Sequence, residues 1–307
     1  MSVFISVVSP VYRADKILEK LVFEIQKVMN ELEVSFEVIL VDDRSPDNSW
    51  QVMKELKEKY SFLKIYRLSR NFGQHPAILA GLSKTNGEWT VVMDCDLQDQ
   101  PKEIVKLLSK AKEGFDVVQA RRVNRQDGFF KKLGSKSFSF LFNYLSEIKV
   151  NHEIANFGIY HKKVIKEVIN MGDYIKSFPL FIYFVGFKSY AIEIEHAERD
   201  SGKSNYTFSK LLDLAFTSII AYSNKPLKLF VKLGVLISLF SFVIAAYYII
   251  KAINGGVAVP GYASLIISLF LLSGIIICAI GIVGVYLGRV FEQTKNRPAY
   301  IFDEEIN

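Results

Sequence analysis

Two carboxylates two residues apart, Asp94 and Asp96, close a strongly apolar run, Trp89-Thr90-Val91-Val92-Met93, and Gln98 follows at the same spacing. On an extended chain this spacing sets the three side chains on one side and turns Cys95 away. Hard oxygen donors gathered at the C-terminal end of a strand suit a cation such as Mg²⁺ or Mn²⁺, and open α/β sheets bind their ligands at that end. A cation bridging such a pair to a diphosphate stabilises the charge that develops as a bond to the diphosphate breaks. An Asp-x-Asp by itself is a weak signal, and a surface turn is its commoner explanation. The apolar strand before this one and Pro101 after it, placed to open a helix, favour the metal reading. The histidines, His75, His152, His161 and His196, have no ligand spacing, so nothing points to zinc.

Two other apolar runs also end in polar residues. One leads into Ser9-Pro10-Val11-Tyr12, the other into Val41-Asp42-Asp43-Arg44-Ser45-Pro46-Asp47-Asn48-Ser49. A carboxylate at a strand end can accept a base N–H, and Tyr12 could flank the ring, which together make a nucleotide pocket. The alternative is turn formation and helix capping, which Asp, Asn and Ser favour at such junctions. Asp47 and Ser49 read as caps, Asp42 as a ligand. Farther along, Arg199-Asp200-Ser201-Gly202-Lys203-Ser204-Asn205-Tyr206 combines a guanidinium fork suited to phosphate, a glycine that lets backbone approach an anion, and a second cation. A solvated basic loop is the alternative there.

Such chemistry needs a scaffold that brings separate strand ends together. Runs at 3–9, 36–41, 63–68, 89–93 and 116–120 predict strands, with helical patterns at 14–30, 49–59, 75–83 and 102–112 between them. Strands spaced by helices of this length predict βαβ units, hence an α/β fold whose mostly parallel sheet is covered on both faces.

Beyond Lys232 the charge almost vanishes. Segments 233–250 and 261–287 contain no Asp, Glu, Lys or Arg, and each reaches the roughly 18–20 residues a helix needs to cross hydrocarbon. Lys225, Lys228 and Lys232 precede the first and Arg289, Lys295 and Arg297 follow the second, whereas the 251–260 loop has only Lys251. By the positive-inside rule both termini are cytoplasmic. Phe208, Leu211, Leu212, Ala215, Phe216, Ile219 and Ile220 repeat at helical spacing and predict an amphipathic helix lying in the interface before the first span. A shorter stripe, Phe138, Leu141, Phe142 and Leu145, follows Lys131, Lys132 and Lys136, and either stripe could instead be core against the sheet. The organisation expected is a domain at 1–205, including an amphipathic segment near 135–148, an interfacial helix at 206–226, a two-helix membrane region at 227–290 and a cytosolic tail at 291–307. No secretory signal is read at the N-terminus. Cys95 and Cys278 are not expected to pair, which fits a reduced, cytosol-facing protein. The net charge of +6 and pI near 9.0 suit an anionic membrane surface, and without a basic stripe carrying interleaved aromatics no nucleic acid is expected.

Taken in order, Ser9-Pro10-Val11-Tyr12, Val41-Asp42-Asp43, Ser69-Arg70-Asn71-Phe72-Gly73-Gln74, Met93-Asp94-Cys95-Asp96-Leu97-Gln98-Asp99, 198–206 and the terminal Gly288-Arg289 through Arg297-Pro298 resemble family 2 glycosyltransferases of the polyprenyl-phosphate branch. These include dolichyl-phosphate mannose synthases and bacterial undecaprenyl-phosphate glucosyl and aminoarabinosyl transferases, and the resemblance covers essentially the whole chain. It implies a GT-A, Rossmann-like domain with interfacial helices and two C-terminal transmembrane helices. It further implies a nucleotide-sugar donor with UDP favoured, a polyprenyl phosphate acceptor, a divalent cation, a bacterial inner-membrane location and a homo-oligomer, a tetramer by resemblance. Carried over by position, Pro10, Tyr12 and Asp42 hold the base and ribose, and Asp94, Asp96 and Gln98 hold the metal and sugar diphosphate. Arg199, Lys203 and Ser204 meet the acceptor phosphate, with Arg121 and Arg122 as further candidates. Arg13-Ala14 stand where relatives often have Asn-Glu, so a glutamate contact to the donor is absent or replaced, with Asp15 as the candidate. Val285 stands where many relatives have glutamate.

The expected reaction is inverting. A phosphomonoester oxygen is already ionised near neutral pH, so in-line attack at the anomeric carbon needs positioning more than a strong base. A processive polysaccharide synthase and a non-catalytic membrane scaffold are the other function classes. Against the first, there are only two spans and no Gln-x-x-Arg-Trp; against the second, Asp94, Asp96 and Arg199 are intact. The flanking cations generate a test of topology. Cysteines placed within 254–259 should react with an impermeant reagent from outside and those placed near Lys295 should not; labelling of both from one side would mean a re-entrant hairpin.

Overall fold

A computed structural model describes residues 3–122, 154–173, 176–194, 223, 225–254 and 261–307. The described residues form two compact units. One holds those up to Arg122, those from Ile154 to Ile194, and Asn296–Asn307; the other holds Ser223 to Lys295.

In the first unit, strands β1 (Ile5–Val11), β2 (Phe36–Asp42), β3 (Leu63–Leu68) and β4 (Trp89–Val92) alternate with helices α1 (Leu18–Glu31), α2 (Ser49–Lys59) and α3 (Gln74–Leu82). A 3₁₀ turn at Pro101–Glu103 leads into α4 (Ile104–Lys112), followed by β5 (Val117–Arg122), β6 (Ile154–His161), α5 (Lys162–Ile169), α6 (Phe178–Val185), β7 (Ser189–Ile194) and β8 (Phe302–Ile306). The sheet order is β7-β5-β6-β4-β1-β2-β3-β8. The central β4-β1-β2-β3 block is parallel, β6 runs antiparallel between β4 and β5, and β8 runs antiparallel along β3. The expected α/β, mostly parallel fold is present.

Every residue of β1 is buried, as suits a central strand covered on both faces. Alternation then sorts the core. Val7, Val38, Leu40 and Val91 pack with α1, α2 and α4, while Val8, Ile39, Val41 and Val92 pack with α3, α5 and α6. A Cβ at Gly81 would collide with Val8 Cγ1, so only glycine lets α3 lie this close to the sheet. Pro10 falls within β1 beyond the last β1–β4 pair, Val8↔Val92, where its missing N–H costs no ladder bond. The helix expected from residue 14 begins at Leu18, and the chain just before it is tied to the loop after β2, with the Ala14 and Asp15 N–H groups donating to Ser49 Oγ (3.0 Å) and Asp47 Oδ2 (3.4 Å).

The second unit contains α7 (Lys225–Ile253) and α8 (Tyr262–Thr294), both long and apolar enough to cross a membrane. At 1.5 Å per residue each exceeds the ~30 Å of a hydrocarbon core. Leu236, Phe240, Phe242, Ile277 and Leu287 are exposed along them, and Tyr286 Oη donates to the Ser223 carbonyl at 2.7 Å. The amphipathic segments expected near 135–148 and at 206–226 lie, apart from Ser223 and the start of α7, outside the described residues. Within the expected tail, Phe302–Ile306 is the strand β8.

At the end of the sheet opposite the strand C-termini, Glu37 is 3% exposed and ties three segments together. It accepts from Ser6 Oγ (2.6 Å), Lys64 Nζ (2.6 Å) and the Asn86 N–H (2.7 Å). Burial pushes its carboxyl up, but bonds from Lys64, Ser6 and Asn86 outweigh that and hold it below the usual glutamate range. Glu37→Ala should cost about 3 kcal/mol by leaving those donors unpaired, read as a lower melting temperature. The stabilisation is present above the unfolded pKa of about 4.3 and is lost as the pH falls through the lower folded value. Glu37→Gln should therefore show a shallower loss of melting temperature on acidification.

Candidate active site

Between β1 and β4 the chain changes its direction of winding, so their C-terminal ends open a crevice between them. The loops leaving β1, β2 and β4 share an unusual feature: Arg13 (φ 55°), Arg44 (φ 56°) and Leu97 (φ 56°) are all left-handed without being glycine. Such backbone costs on the order of 1 kcal/mol and persists only where surrounding contacts dictate it. The contacts are visible. Arg13 N–H donates to Ser45 Oγ (3.2 Å), and Asp43 N–H donates to the Val11 carbonyl (2.9 Å). The Tyr12 backbone lies close enough to the Cys95 thiol to oppose the rise of its pKa, which places the β4 loop beside the β1 loop. Asp47 Oδ1 accepts the Ser49 N–H (3.2 Å) and hydroxyl (2.7 Å), closing the turn into α2.

The adjacent carboxylates at the end of β2 serve different neighbours. Asp42 has no exposed surface; its Oδ1 accepts the Ser45 N–H at 2.9 Å, and its Oδ2 lies 3.2 Å from Arg67 Nε, close enough to pair but misaligned for a hydrogen bond. Burial raises its carboxyl pKa, opposed by Ser45 and Arg67. Asp43, also buried, accepts the N–H groups of Phe72 (2.7 Å) and Gly73 (2.8 Å), and its carbonyl accepts Asn71 Nδ2 (3.2 Å). Burial likewise raises its pKa, against those two N–H bonds. These bonds fix the 69–73 loop, whose Gly73 (φ 99°) has a backbone only glycine adopts readily, and so fix the start of α3. There Gln74 Nε2 donates to Asp94 Oδ1 at 2.7 Å. Residue types alone assign this loop no physical role; its Asn-Phe-Gly run just before a helix was the available signal.

The acidic pair sits differently from the strand alternation expected of it. β4 ends at Val92, and residues 94–99 form a turn in which Asp96 Oδ1 accepts the Gln98 N–H at 3.1 Å and Leu97 is left-handed. Asp94, Asp96 and Gln98 thus lie in and beside a turn rather than at alternate positions of a strand, and the Asp96 carboxylate bonds the backbone two residues on, as Asp readily does. Asp94 and Asp96 are both partly exposed. Cys95 is turned inward against the core, and burial, with Asp94 and Asp96 adding to it, pushes its thiol up to about 12. Among the described residues no three His, Cys, Asp or Glu side chains cluster as metal ligands. Two carboxylates nonetheless fit Mg²⁺ or Mn²⁺, which are often held by one or two carboxylates, with substrate phosphate and water completing the shell.

Of the other expected residues, Pro10 is buried within β1, and Tyr12 is 45% exposed at its end, with the Arg13 guanidinium 5.4 Å from its ring centroid. Arg121 pairs with Glu193, its neighbour across the β5–β7 ladder, and Arg122 is the last residue of β5. Arg199, Lys203 and Ser204 lie outside the described residues.

A mostly parallel sheet with an acidic turn at its switch point is compatible with many α/β functions, and comparison narrows them. Residues 6–169 match the model of glycosyl transferase family 2, and the chain belongs to that family. It is 32% identical over 305 residues to an uncharacterized glycosyltransferase of Synechocystis, covering 99% of this chain and 96% of that one. It is also 32% identical to the undecaprenyl-phosphate 4-deoxy-4-formamido-L-arabinose transferase of Proteus mirabilis, over 98% of this chain and 94% of the relative. Among solved structures, mannosyl-3-phosphoglycerate synthase from Rubrobacter xylanophilus aligns at TM-score 0.49 and 16% identity over 71% of this chain and 72% of its own, too distant to bear on substrate.

Asp43→Ala should remove both bonds that hold the loop before α3. Charge-assisted bonds of this kind contribute about 1.5–3 kcal/mol each, so a stability loss of roughly 3 kcal/mol is expected. Faster hydrogen exchange at the Phe72 and Gly73 amides, with the β1–β2 ladder still protected, checks that the effect is local.

Proposed function

We propose that this protein transfers a sugar from a nucleoside-diphosphate sugar, with UDP favoured, to polyprenyl phosphate, in its undecaprenyl form, at the cytosolic face of a bacterial inner membrane. The observation that carries this reading is the extent of the likeness to the Proteus transferase, which runs through the glycosyltransferase domain and both apolar helices. A soluble-domain match alone would support glycosyl transfer without a lipid acceptor.

In this reading Asp94 and Asp96 hold Mg²⁺ or Mn²⁺ and the donor diphosphate, with Gln98 beside them. When bound, the cation neutralises charge on the departing diphosphate. Gln74 holds one Asp94 oxygen through a 2.7 Å bond, so that carboxylate meets the donor already oriented. Tyr12, at the mouth of β1, flanks the base, and Asp42 shapes the pocket from below through Ser45. Arg199, Lys203 and Ser204 bind the acceptor phosphate, with Arg121 and Arg122 as alternatives. An oxygen of that phosphate attacks the anomeric carbon in line as the bond to the diphosphate breaks. The product is inverted, a lipid-phosphate sugar and a free nucleoside diphosphate, with no strong base required. Both termini are cytoplasmic, and the protein acts as a homo-oligomer.

The test is transfer by purified protein from a panel of labelled nucleotide sugars to undecaprenyl phosphate, read as label in an acid-labile, chloroform-soluble lipid. Asp96→Ala should abolish it and Asp94→Ala should be nearly as severe, with melting unchanged. Chelator should stop the reaction and Mg²⁺ or Mn²⁺ restore it. Retention of more than about a tenth of wild-type turnover, a barrier change under ~1.4 kcal/mol, would sink the metal assignment. Label in a polymer instead of a lipid would redirect the reading to a processive synthase.

A further inference from the structure

The last strand carries three successive acids, and each meets a cation from a different part of the sheet. Asp303 pairs with Arg44 in the loop after β2, Glu304 Oε1 lies 3.5 Å from an Arg67 terminal nitrogen on β3, and Glu305 Oε2 lies 2.6 Å from Lys84 Nζ just past α3. A bulge between Arg67 and Leu68 puts Phe302 and Glu305 on the α3 face, where the Phe302 ring lies 5.5 Å from Tyr66, while Ile306 reaches the other core layer. The acids are all partly exposed, Glu304 at 43%, and exposed pairs contribute little stability. The ladder and the two apolar side chains hold the strand, which leaves the ion pairs available for another role.

Of these three cations, Arg67 also pairs with a carboxylate in the site, Asp42. Its Nε lies 3.2 Å from Asp42 Oδ2, and its guanidinium lies 5.6 Å from the Trp50 ring centroid. A planar fork facing two carboxylates and an indole is confined to one orientation; with one carboxylate gone it can turn wholly onto the other. Asp42 also holds the Ser45 N–H, and the 42–49 segment is laced to the β1 loop through Ser45 and Asp47. We infer that Glu304, on the C-terminal strand, is a positioning residue for the nucleotide pocket, acting through Arg67 to keep Asp42 on Ser45 and so to hold the loops that frame Tyr12. It touches no substrate. The inference rests on the reading of these loops as the donor site and adds to it a residue more than two hundred positions away in sequence from the loops it steadies.

Calorimetry of nucleotide binding to the full-length, detergent-solubilised protein with Mg²⁺ tests it, using whichever of UDP, GDP or dTDP the wild type binds most tightly. Glu304→Gln should weaken binding about five- to tenfold with the melting temperature unchanged, Glu304→Asp should recover part, and Glu305→Gln should bind within twofold of wild type. A purely structural role for β8 would move the Glu304 and Glu305 variants alike, and that result, or Glu304→Gln binding as wild type does, overturns the inference. Asp42→Asn separates the two layers of argument. If it binds as wild type, or if the wild type binds none of the three nucleotides, the donor-site reading fails and takes the inference with it. If Asp42→Asn is weak and Glu304→Gln is not, the positioning role alone is wrong.

Discussion

A single buried carboxylate sets the geometry of the site. Asp43 directly follows β2, but its two oxygens serve the Phe72 and Gly73 N–H groups, in the connection between β3 and α3. Without them that loop would need to satisfy two amides in a crevice where water has limited access, and α3 would lose its fixed start. Because α3 begins with Gln74, and Gln74 donates to Asp94, the end of one strand determines the orientation of a carboxylate at the end of another. Strand ends that the chain visits at different times thus become one rigid assembly, which is what the proposed binding of a diphosphate in a defined pose requires.

Adjacency in sequence and adjacency of role come apart in this assembly. Asp42 and Asp43 are neighbours, but strand alternation sends one toward Arg67 and Trp50 and the other toward α3. Asp94 and Asp96 look like alternate positions of a strand, but the strand has already ended at Val92 and they lie in the turn that follows. Left-handed residues after β1, β2 and β4 mark where the backbone leaves regular structure. Clustering of strained backbone at one end of a sheet is the usual companion of a binding site.

The elements up to β5 were legible in the sequence because parallel strands covered on both faces read as unbroken apolar runs separated by helical patterns. The later strands were not. β6 is broken by Asn156 and Gly158, β7 is an edge strand with Tyr190 and Glu193 exposed, and β8 has three acids in five residues, so no periodic apolar signal survives. The acidic turn was visible as a cluster of types. What the sequence could not reveal were contacts between elements: Gln74 with Asp94, Asp43 with the 69–73 loop, and Arg67 between Asp42 and Glu304. Those depend on which strand lies beside which, and β4 lies beside β1 only because α3 carries the chain back across the sheet.

The pairing of β3 with β8 also imposes an order on biosynthesis. Tyr66 and Asn307 share a 2.6 Å side-chain bond across 241 residues of chain. On the ribosome, the outer edge of β3 exists as soon as the first hundred residues emerge, but its partner emerges only after both apolar helices have been made. Until then the nascent domain presents a row of unsatisfied backbone groups beside Arg67 and Lys84, and such edges invite pairing with other chains. Completion of the sheet is therefore coupled in time to the emergence of the second apolar helix, and a ribosome that stalls before that helix is finished leaves a domain with an uncapped side.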